Sequence, residues 1–193
     1  MSGKVVIIGG NKRAGKTTIS LKLQKEYQFN YYNFDMLLDS LEESLPILND
    51  KDDKKYISLL ESMVKRSLID AENYGINFVY EYIFTPEELA NFKYRDCVQI
   101  IFLANLDANL ENIEGDLKKY SKEYDWPSFV NEDDLNRNIR WILNRNEELI
   151  DECSKYCFPL INTSRGDERD RIIDNVINNL LEGKYENNSI SKQ

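Results

Sequence analysis

The sequence predicts an α/β three-layer sandwich, a single parallel sheet of five strands with helices on both faces. Two observations carry that expectation. Short β-branched runs alternate with longer stretches of helical periodicity from one end of the 193-residue chain to the other. The short runs are apolar at consecutive positions, the pattern of strands covered on both sides, without the in-and-out alternation of a sheet that has one wet face. No internal repeat and no linker-like composition interrupts the series, so residues 1–183 read as one domain and 184–193 as a flexible tail.

Each element has its own signal. Lys4 to Ile8 is the first strand, flanked by Gly9 and Gly10, and Thr17 to Tyr27 follows as a helix. Tyr31 to Phe34 is the second strand, and the helix after it, about Met36 to Glu43, is expected to stop near Pro46, because the residue before a proline is disfavoured in the α region. Tyr56, Leu59, Leu60, Met63, Val64, Ser67 and Ala71 form one stripe at helical spacing, marking a long amphipathic helix that Gly75 ends. Ile76 to Tyr80 and Val98 to Leu103 are the third and fourth strands, with a short helix at Pro86 to Asn91 between them. Leu110 to Trp126 is polar with a weaker helical pattern, which Pro127 breaks. A helix resumes near Asn131 with Leu135, Ile139, Ile142, Leu143, Leu149 and Cys153 on its apolar face. Phe158 to Ile161 is the fifth strand, and Ile172, Ile173, Val176, Ile177, Leu180 and Leu181 line the last helix.

Composition narrows the function. There are 25 Lys and Arg against 34 Asp and Glu, a formal charge of -9, and an isoelectric point near 4.7, a balance that opposes binding to nucleic acid or anionic lipid. The longest apolar runs, such as Val5 to Ile8 and Ile100 to Ala104, are far too short to cross a membrane, and the N-terminus lacks a signal-peptide core, so a cytoplasmic location is expected. The chain contains no His, which removes Ser-His-Asp and Cys-His catalysis and most zinc sites. Cys97, Cys153 and Cys157 form no CxxC pair and read as reduced thiols. Acid–base work falls to carboxylates, Lys, Tyr or Cys.

The most specific feature is Gly10-Asn11-Lys12-Arg13-Ala14-Gly15-Lys16-Thr17, a full GxxxxGK[ST] phosphate loop, followed by Thr18. Its glycines let the backbone wrap with NH groups inward, Lys16 reaches the β and γ phosphates of a nucleotide, and the Thr17 hydroxyl is suited to Mg²⁺. The helix that opens at Lys16 adds about half a positive charge at its N-terminus, aimed at the same anion. The loop follows a buried strand and opens a helix, the context that separates a working phosphate loop from a chance match. Lys12 and Arg13 belong to the loop and carry no catalytic assignment.

Other classes of P-loop protein fit poorly. The end of the fourth strand reads Asn105-Leu106-Asp107, without the Lys and the spacing of a GTPase base-recognition motif. A strand ending in Asp-Glu and the LSGGQ signature of transporter ATPases are both absent. The whole chain instead resembles the P-loop small-molecule kinases of the adenylate kinase, shikimate kinase and chloramphenicol phosphotransferase group. Beyond the loop, three segments carry the resemblance: Tyr32 to Asp39, with Asp35 just after strand two; Phe78-Val79-Tyr80-Glu81, with an acid at the strand end; and Asn162-Thr163-Ser164-Arg165-Gly166 after strand five. The Gly-Phe-Pro-Arg segment of adenylate kinases is missing and no Gly follows Glu81, which speaks against a nucleoside monophosphate acceptor.

The resemblance implies a P-loop NTPase sandwich with a helical lid, ATP and Mg²⁺ as cofactors, and transfer of the γ phosphate to a small acceptor. Asp35 is then the base or orienter of the acceptor hydroxyl, or else the N-cap of the following helix. Asp39, one turn further on, either holds substrate or is a solvated acid. Glu81 holds Mg²⁺ with Thr17, or is a rim acid. The lid falls within about 110–146, where Arg140 and Arg137 are the candidates to neutralise charge on the transferring oxygens, an effect worth about 10³ to 10⁵ in rate. The alternative is a solvated helix face paired to Glu147 and Glu148. Arg145 lies nearer the edge of the apolar stripe. Arg165 stacks on the adenine, or belongs to a turn that starts the last helix. Tyr31, Tyr32, Phe34, Tyr80 and Tyr82 lie near the expected acceptor pocket. Two other readings remain open, a nucleotide-binding regulatory module without efficient transfer and a toxin-like kinase of a larger substrate.

Overall fold

A computed structural model describes residues 2–44, 54–120, 126–163 and 168–185, with the side chains of 54, 55, 116, 118–120, 126 and 127 left aside. Five strands form one sheet: β1 (Val5–Gly10), β2 (Asn30–Asn33), β3 (Phe78–Glu81), β4 (Gln99–Ala104) and β5 (Leu160–Asn162). Their order is β2-β3-β1-β4-β5 and every pairing is parallel, with Ile8 beside Glu81 on one flank and Ile101 on the other. The helices are α1 (Lys16–Tyr27), α2 (Phe34–Ser44), α3 (Lys54–Tyr74), α4 (Pro86–Ala90), α5 (Leu110–Tyr120), α6 (Glu132–Tyr156) and α7 (Arg169–Glu182).

Alternate residues of the strands feed two separate cores, as period-two geometry requires. Val6, Ile8, Val79, Ile101 and Leu103 pack with Ile19 and Leu23 of α1 and Ile173, Val176, Ile177 and Leu180 of α7. Val5, Ile7, Tyr80, Ile100 and Phe102 face the other way, onto Leu60 and Val64 of α3 and Leu149 and Cys153 of α6. This is the expected three-layer sandwich. A third, smaller core joins Ile113 and Leu117 of α5 to Ile139 and Ile142 of α6. The 25 residues of α6 therefore run unbroken, over about 37 Å, from this outlying core to the main one.

Several element boundaries differ from the sequence expectation, each for a local reason. Strand β2 stops at Asn33, and Phe34 already belongs to α2. The Asn33 Oδ1 accepts from the Met36 amide at 3.0 Å, so Asn33 caps α2 and Asp35 does not. Strand β3 begins at Phe78, later than Ile76, because Asn77 is a connector: its Oδ1 accepts from the Lys4 amide and its carbonyl from the Asn30 amide, each at 2.8 Å. Strand β5 begins at Leu160 since α6 ends in a left-handed Cys157 and Pro159 has no amide to donate. Helix α7 begins at Arg169, and residues 164–167 before it lie outside the described residues. Pro127 falls in a short 3₁₀ turn, Trp126–Phe129. The expected stop near Pro46 and most of the tail lie outside the described residues. Cys153 is buried, Cys97 and Cys157 are exposed, and no disulfide joins them.

Candidate active site

The loop from β1 to α1 lies at the C-terminal edge of the sheet, on its central strand. Here the crossovers from β1 and β4 diverge to opposite sides, which is where open parallel sheets leave a crevice for ligands. Backbone geometry explains both motif glycines. Gly10 has φ 110, and a Cβ there would stand 2.2 Å from the Leu103 carbonyl oxygen; Gly15 has φ 90. The loop also turns on a left-handed Arg13, φ 61.

Lys16 is buried, and its ammonium donates to the Asn11 carbonyl at 2.7 Å and, more weakly, to that of Gly10 at 3.5 Å. Burial pulls its pKa down, while Glu81 and Asp35 oppose the fall. The Thr17 hydroxyl donates to Glu81 Oε1 at 2.9 Å. Glu81 is 2% exposed, and its other oxygen has no hydrogen-bond partner among the described residues. Burial raises its pKa, with Lys16 and the Thr17 hydrogen bond acting against the rise. Beside it lies the buried Tyr31 hydroxyl, its pKa pushed up to about 12 by burial and by the Glu81 charge.

The donor set around Thr17 and Glu81 is all oxygen, and Glu81 Oε2 is a buried acceptor left without a donor. Those features fit a hard divalent cation that keeps several waters and takes only one or two protein ligands. No cluster of three or more His, Cys, Asp or Glu exists among the described residues. The site therefore suits Mg²⁺ held together with nucleotide phosphates better than a metal held by protein alone.

Asp35 sits in the first turn of α2, where its carboxylate, relieved of a capping role, is accessible to solvent. The surrounding protein nonetheless lifts its pKa above the ordinary value by desolvation; Lys16 opposes the shift and Asp39 adds to it. Asp39 is exposed. Residues 16, 35 and 81 thus share one electrostatic environment although they belong to three different elements.

Next to the loop is a cavity of 230 Å³ lined by Gly10, by Tyr56 of α3, by Tyr82, Ile83 and Thr85 after β3, by Glu88 of α4, and by Trp141 and Arg145 of α6. Of the five aromatics expected near the acceptor, only Tyr82 lines it. Phe34 and Tyr80 are core residues, Tyr80 being bonded to the Ser67 hydroxyl at 2.7 Å; Tyr32 stacks on Tyr80 from outside, and Tyr31 belongs to the Glu81 side.

Among the arginines, Arg137 is exposed and paired with Asp134, and Arg140 is exposed. Arg145 is the one that lines the cavity, held by Glu152 at 2.6 and 2.9 Å and by Glu148 at 2.7 Å. Arg165 lies outside the described residues. Sequence reasoning missed Arg169, whose guanidinium comes within 3.2 Å of the position a Gly15 Cβ would take. A signal existed, because a cation in the first turn of a helix opposes the helix dipole. It also missed a buried amide chain: Asn11 Nδ2 donates to the Ile142 carbonyl and to Asn146 Oδ1, and Asn146 Nδ2 donates to the Asn105 carbonyl, all at 2.7 Å. This chain ties α6 to the phosphate loop, and Lys12 reinforces it by lying 5.0 Å over the Trp141 ring.

No protein-family model matches the sequence, and no curated protein sequence matches it significantly. Solved structures do match. A shikimate kinase from Acinetobacter baumannii in complex with shikimate is 16% identical with a TM-score of 0.52, over 94% of this chain and 95% of that one. A gluconokinase from Sinorhizobium meliloti 1021 is 12% identical with a TM-score of 0.56, over 100% and 98%. The YorR protein of Bacillus subtilis, in complex with phosphorylated GDP, is 16% identical with a TM-score of 0.53, over 94% and 97%. The chain has the fold of the small-molecule P-loop kinases. Among the described residues no helix is long and apolar enough to cross a membrane.

Proposed function

We propose that the protein is an ATP-dependent phosphotransferase that moves the γ phosphate, with Mg²⁺, to a hydroxyl of a small acceptor. One observation supports this most directly: the Thr17–Glu81 hydrogen bond of 2.9 Å sets an acid against the phosphate loop, and the charges of Glu81 and Asp35 both act on Lys16. That is the division of labour phosphoryl transfer needs, since such catalysis is mainly positioning and charge stabilisation.

In this reading the amides of Gly10 to Thr18 and the Lys16 ammonium hold the β and γ phosphates. Lys16 exchanges its present carbonyl acceptors for phosphate oxygens. Thr17 and Glu81 hold the metal, which when bound supplies positive charge to those oxygens. Asp35 orients the acceptor hydroxyl and takes its proton. Arg140 and Arg137, on the exposed flank of α6, are the lid cations, and Arg165 contacts the adenine.

The test is ADP release from Mg-ATP, with and without fractionated small metabolites, for the wild type, Lys16→Met and Asp35→Asn. One fraction is expected to stimulate release, Lys16→Met to remove at least about 10³-fold of it, and Asp35→Asn about 10² to 10⁴-fold. Tight ATP binding with no stimulation by any fraction would replace the enzyme with a nucleotide-binding regulatory module.

A further inference from the structure

We infer that the cavity beside the phosphate loop binds a single aromatic or heteroaromatic ring, uncharged or cationic, and that the acceptor is an alcohol carried on such a ring. The ring-binding half stands on the cavity alone, and the acceptor half rests on the phosphotransferase reading.

Size is the first argument. A cavity of about 150 Å³ is enough to hold benzene, whereas drug-sized ligands occupy about 300 to 1,000 Å³. At 230 Å³ the cavity takes one ring with a few substituent atoms. The second argument is the wall. Three ring side chains, Tyr56, Tyr82 and Trp141, come from three separate segments and line the cavity with Ile83; Tyr56 and Tyr82 already meet edge to face at 5.6 Å, and aromatic surfaces recognise planar rings by offset stacking or edge contact.

Charge is the third argument. Of the polar lining groups, Thr85, Glu88 and Arg145 are engaged within the protein. Thr85 and Glu88 form a capping box, with the Glu88 amide donating to Thr85 Oγ1 at 3.2 Å and the Thr85 amide to Glu88 Oε2 at 2.7 Å. Arg145 faces two carboxylates, Glu152 and Glu148, so its charge is offset and its bidentate face is taken. An anionic acceptor would find Arg145 already compensated and Lys12 lying over the Trp141 ring at 5.0 Å. It would also meet the negative field of Asp35, Glu88, Asp39 and Glu42, all of which act on Tyr82 and, after burial, hold its pKa up. A neutral ring suffers little from that field, and a protonated one gains from both the acids and the ring faces.

The geometry also supplies the chemistry. The Asp35 charge acts on both Lys16 of the phosphate loop and Tyr82 of the ring wall. The hydroxyl oxygen of the ring compound bonds to the γ phosphorus as the bond from that phosphorus to the β–γ bridging oxygen breaks. The hydroxyl proton passes to Asp35 and on to solvent, leaving a phosphate monoester and ADP.

The chain has two tryptophans, so Trp126→Phe leaves Trp141 as the reporter. In that background, 4-pyridinemethanol and benzyl alcohol are titrated against Trp141 fluorescence, with cyclohexylmethanol and benzoate as controls. Tyr56→Leu and Tyr82→Leu are compared after thermal melts establish that they fold. Saturable quenching by the two ring alcohols is expected, at least about tenfold tighter than either control and about tenfold weaker in each Leu variant. Equal binding of cyclohexylmethanol, tighter binding of benzoate, or no saturation overturns the inference. Ring binding without ADP release upholds the ring site and counts against the acceptor half and the phosphotransferase reading on which it rests. ADP release driven only by an anionic or non-aromatic acceptor upholds that reading and counts against the acceptor half.

Discussion

The two halves of the site are built by different means. The phosphate half is backbone: eight contiguous residues, Gly10 to Thr17, whose shape depends on two glycines at φ 110 and 90. The proposed acceptor half is side chain: Tyr56, Tyr82, Glu88, Trp141 and Arg145 reach one cavity from α3, the β3–α4 connection, α4 and α6. A phosphate is bound by amides whose directions are fixed by φ and ψ, so its cradle appears in sequence as a glycine pattern. A ring is bound by faces that the tertiary fold brings together, and no spacing records that.

The contrast breaks most severely at Gly10. Gly10→Ala would force an L residue to φ 110 and place its Cβ 2.2 Å from the Leu103 carbonyl oxygen and 2.5 Å from the Leu103 nitrogen, contacts with backbone that cannot move aside. The expected loss is at least about 3 kcal/mol, a fall in Tm of roughly 6 to 12 °C, together with loss of ATP binding. Calorimetry of the variant checks it; an unchanged Tm would mean that the loop is not the rigid half.

A smaller effect is expected where the halves meet. Asn11, in the loop, donates to both Ile142 and Asn146 of α6, and Asn146 passes the chain on to Asn105. Asn146→Ala removes two of these 2.7 Å bonds and leaves a buried amide of Asn11 and the Asn105 carbonyl short of partners. The cost should be about 2 kcal/mol, read as a lower urea midpoint at unchanged m-value. If ATP affinity and ring binding both weaken in this variant, the amide chain couples the two halves. Stability loss alone would make it a structural brace.

What could be read in advance follows the same division. Strands β1 and β4, helices α1, α3, α6 and α7, and the whole phosphate loop were legible, because each depends on contiguous pattern. Asp35 and Glu81 could be placed from the strand ends, although the capping role weighed for Asp35 belongs to Asn33. The start of β3 was not legible, since the Asn77 connector is defined by bonds to Lys4 and Asn30, far away in sequence. Tyr56 reads as part of an amphipathic helix, and nothing in periodicity separates a residue that covers a core from one that walls a cavity. Arg145 was passed over for Arg137 and Arg140 because a helical wheel shows which way a side chain points and not what lies opposite.

The smallest expected effect concerns Lys12, which touches both halves. It lies over Trp141 and lowers the pKa of Asp35, while Asp39 raises it. If Asp35 is the base, it works only as the carboxylate, so the acceptor-dependent rate falls on an acid limb set above the ordinary Asp value, the desolvation of Asp35 outweighing Lys16 and Lys12. The two neighbours then move that limb in opposite directions. Lys12→Gln withdraws a cation that favours the charged form, so the limb shifts to higher pH; Asp39→Asn withdraws a like charge, so it shifts to lower pH. Rate measured against pH for the two variants is the check, and shifts of the same sign would remove Asp35 from the role of base. Because Lys12→Gln also uncovers one side of Trp141, ring binding should change in that variant and stay unchanged in Asp39→Asn. The comparison thereby separates an effect on the proton from an effect on the wall.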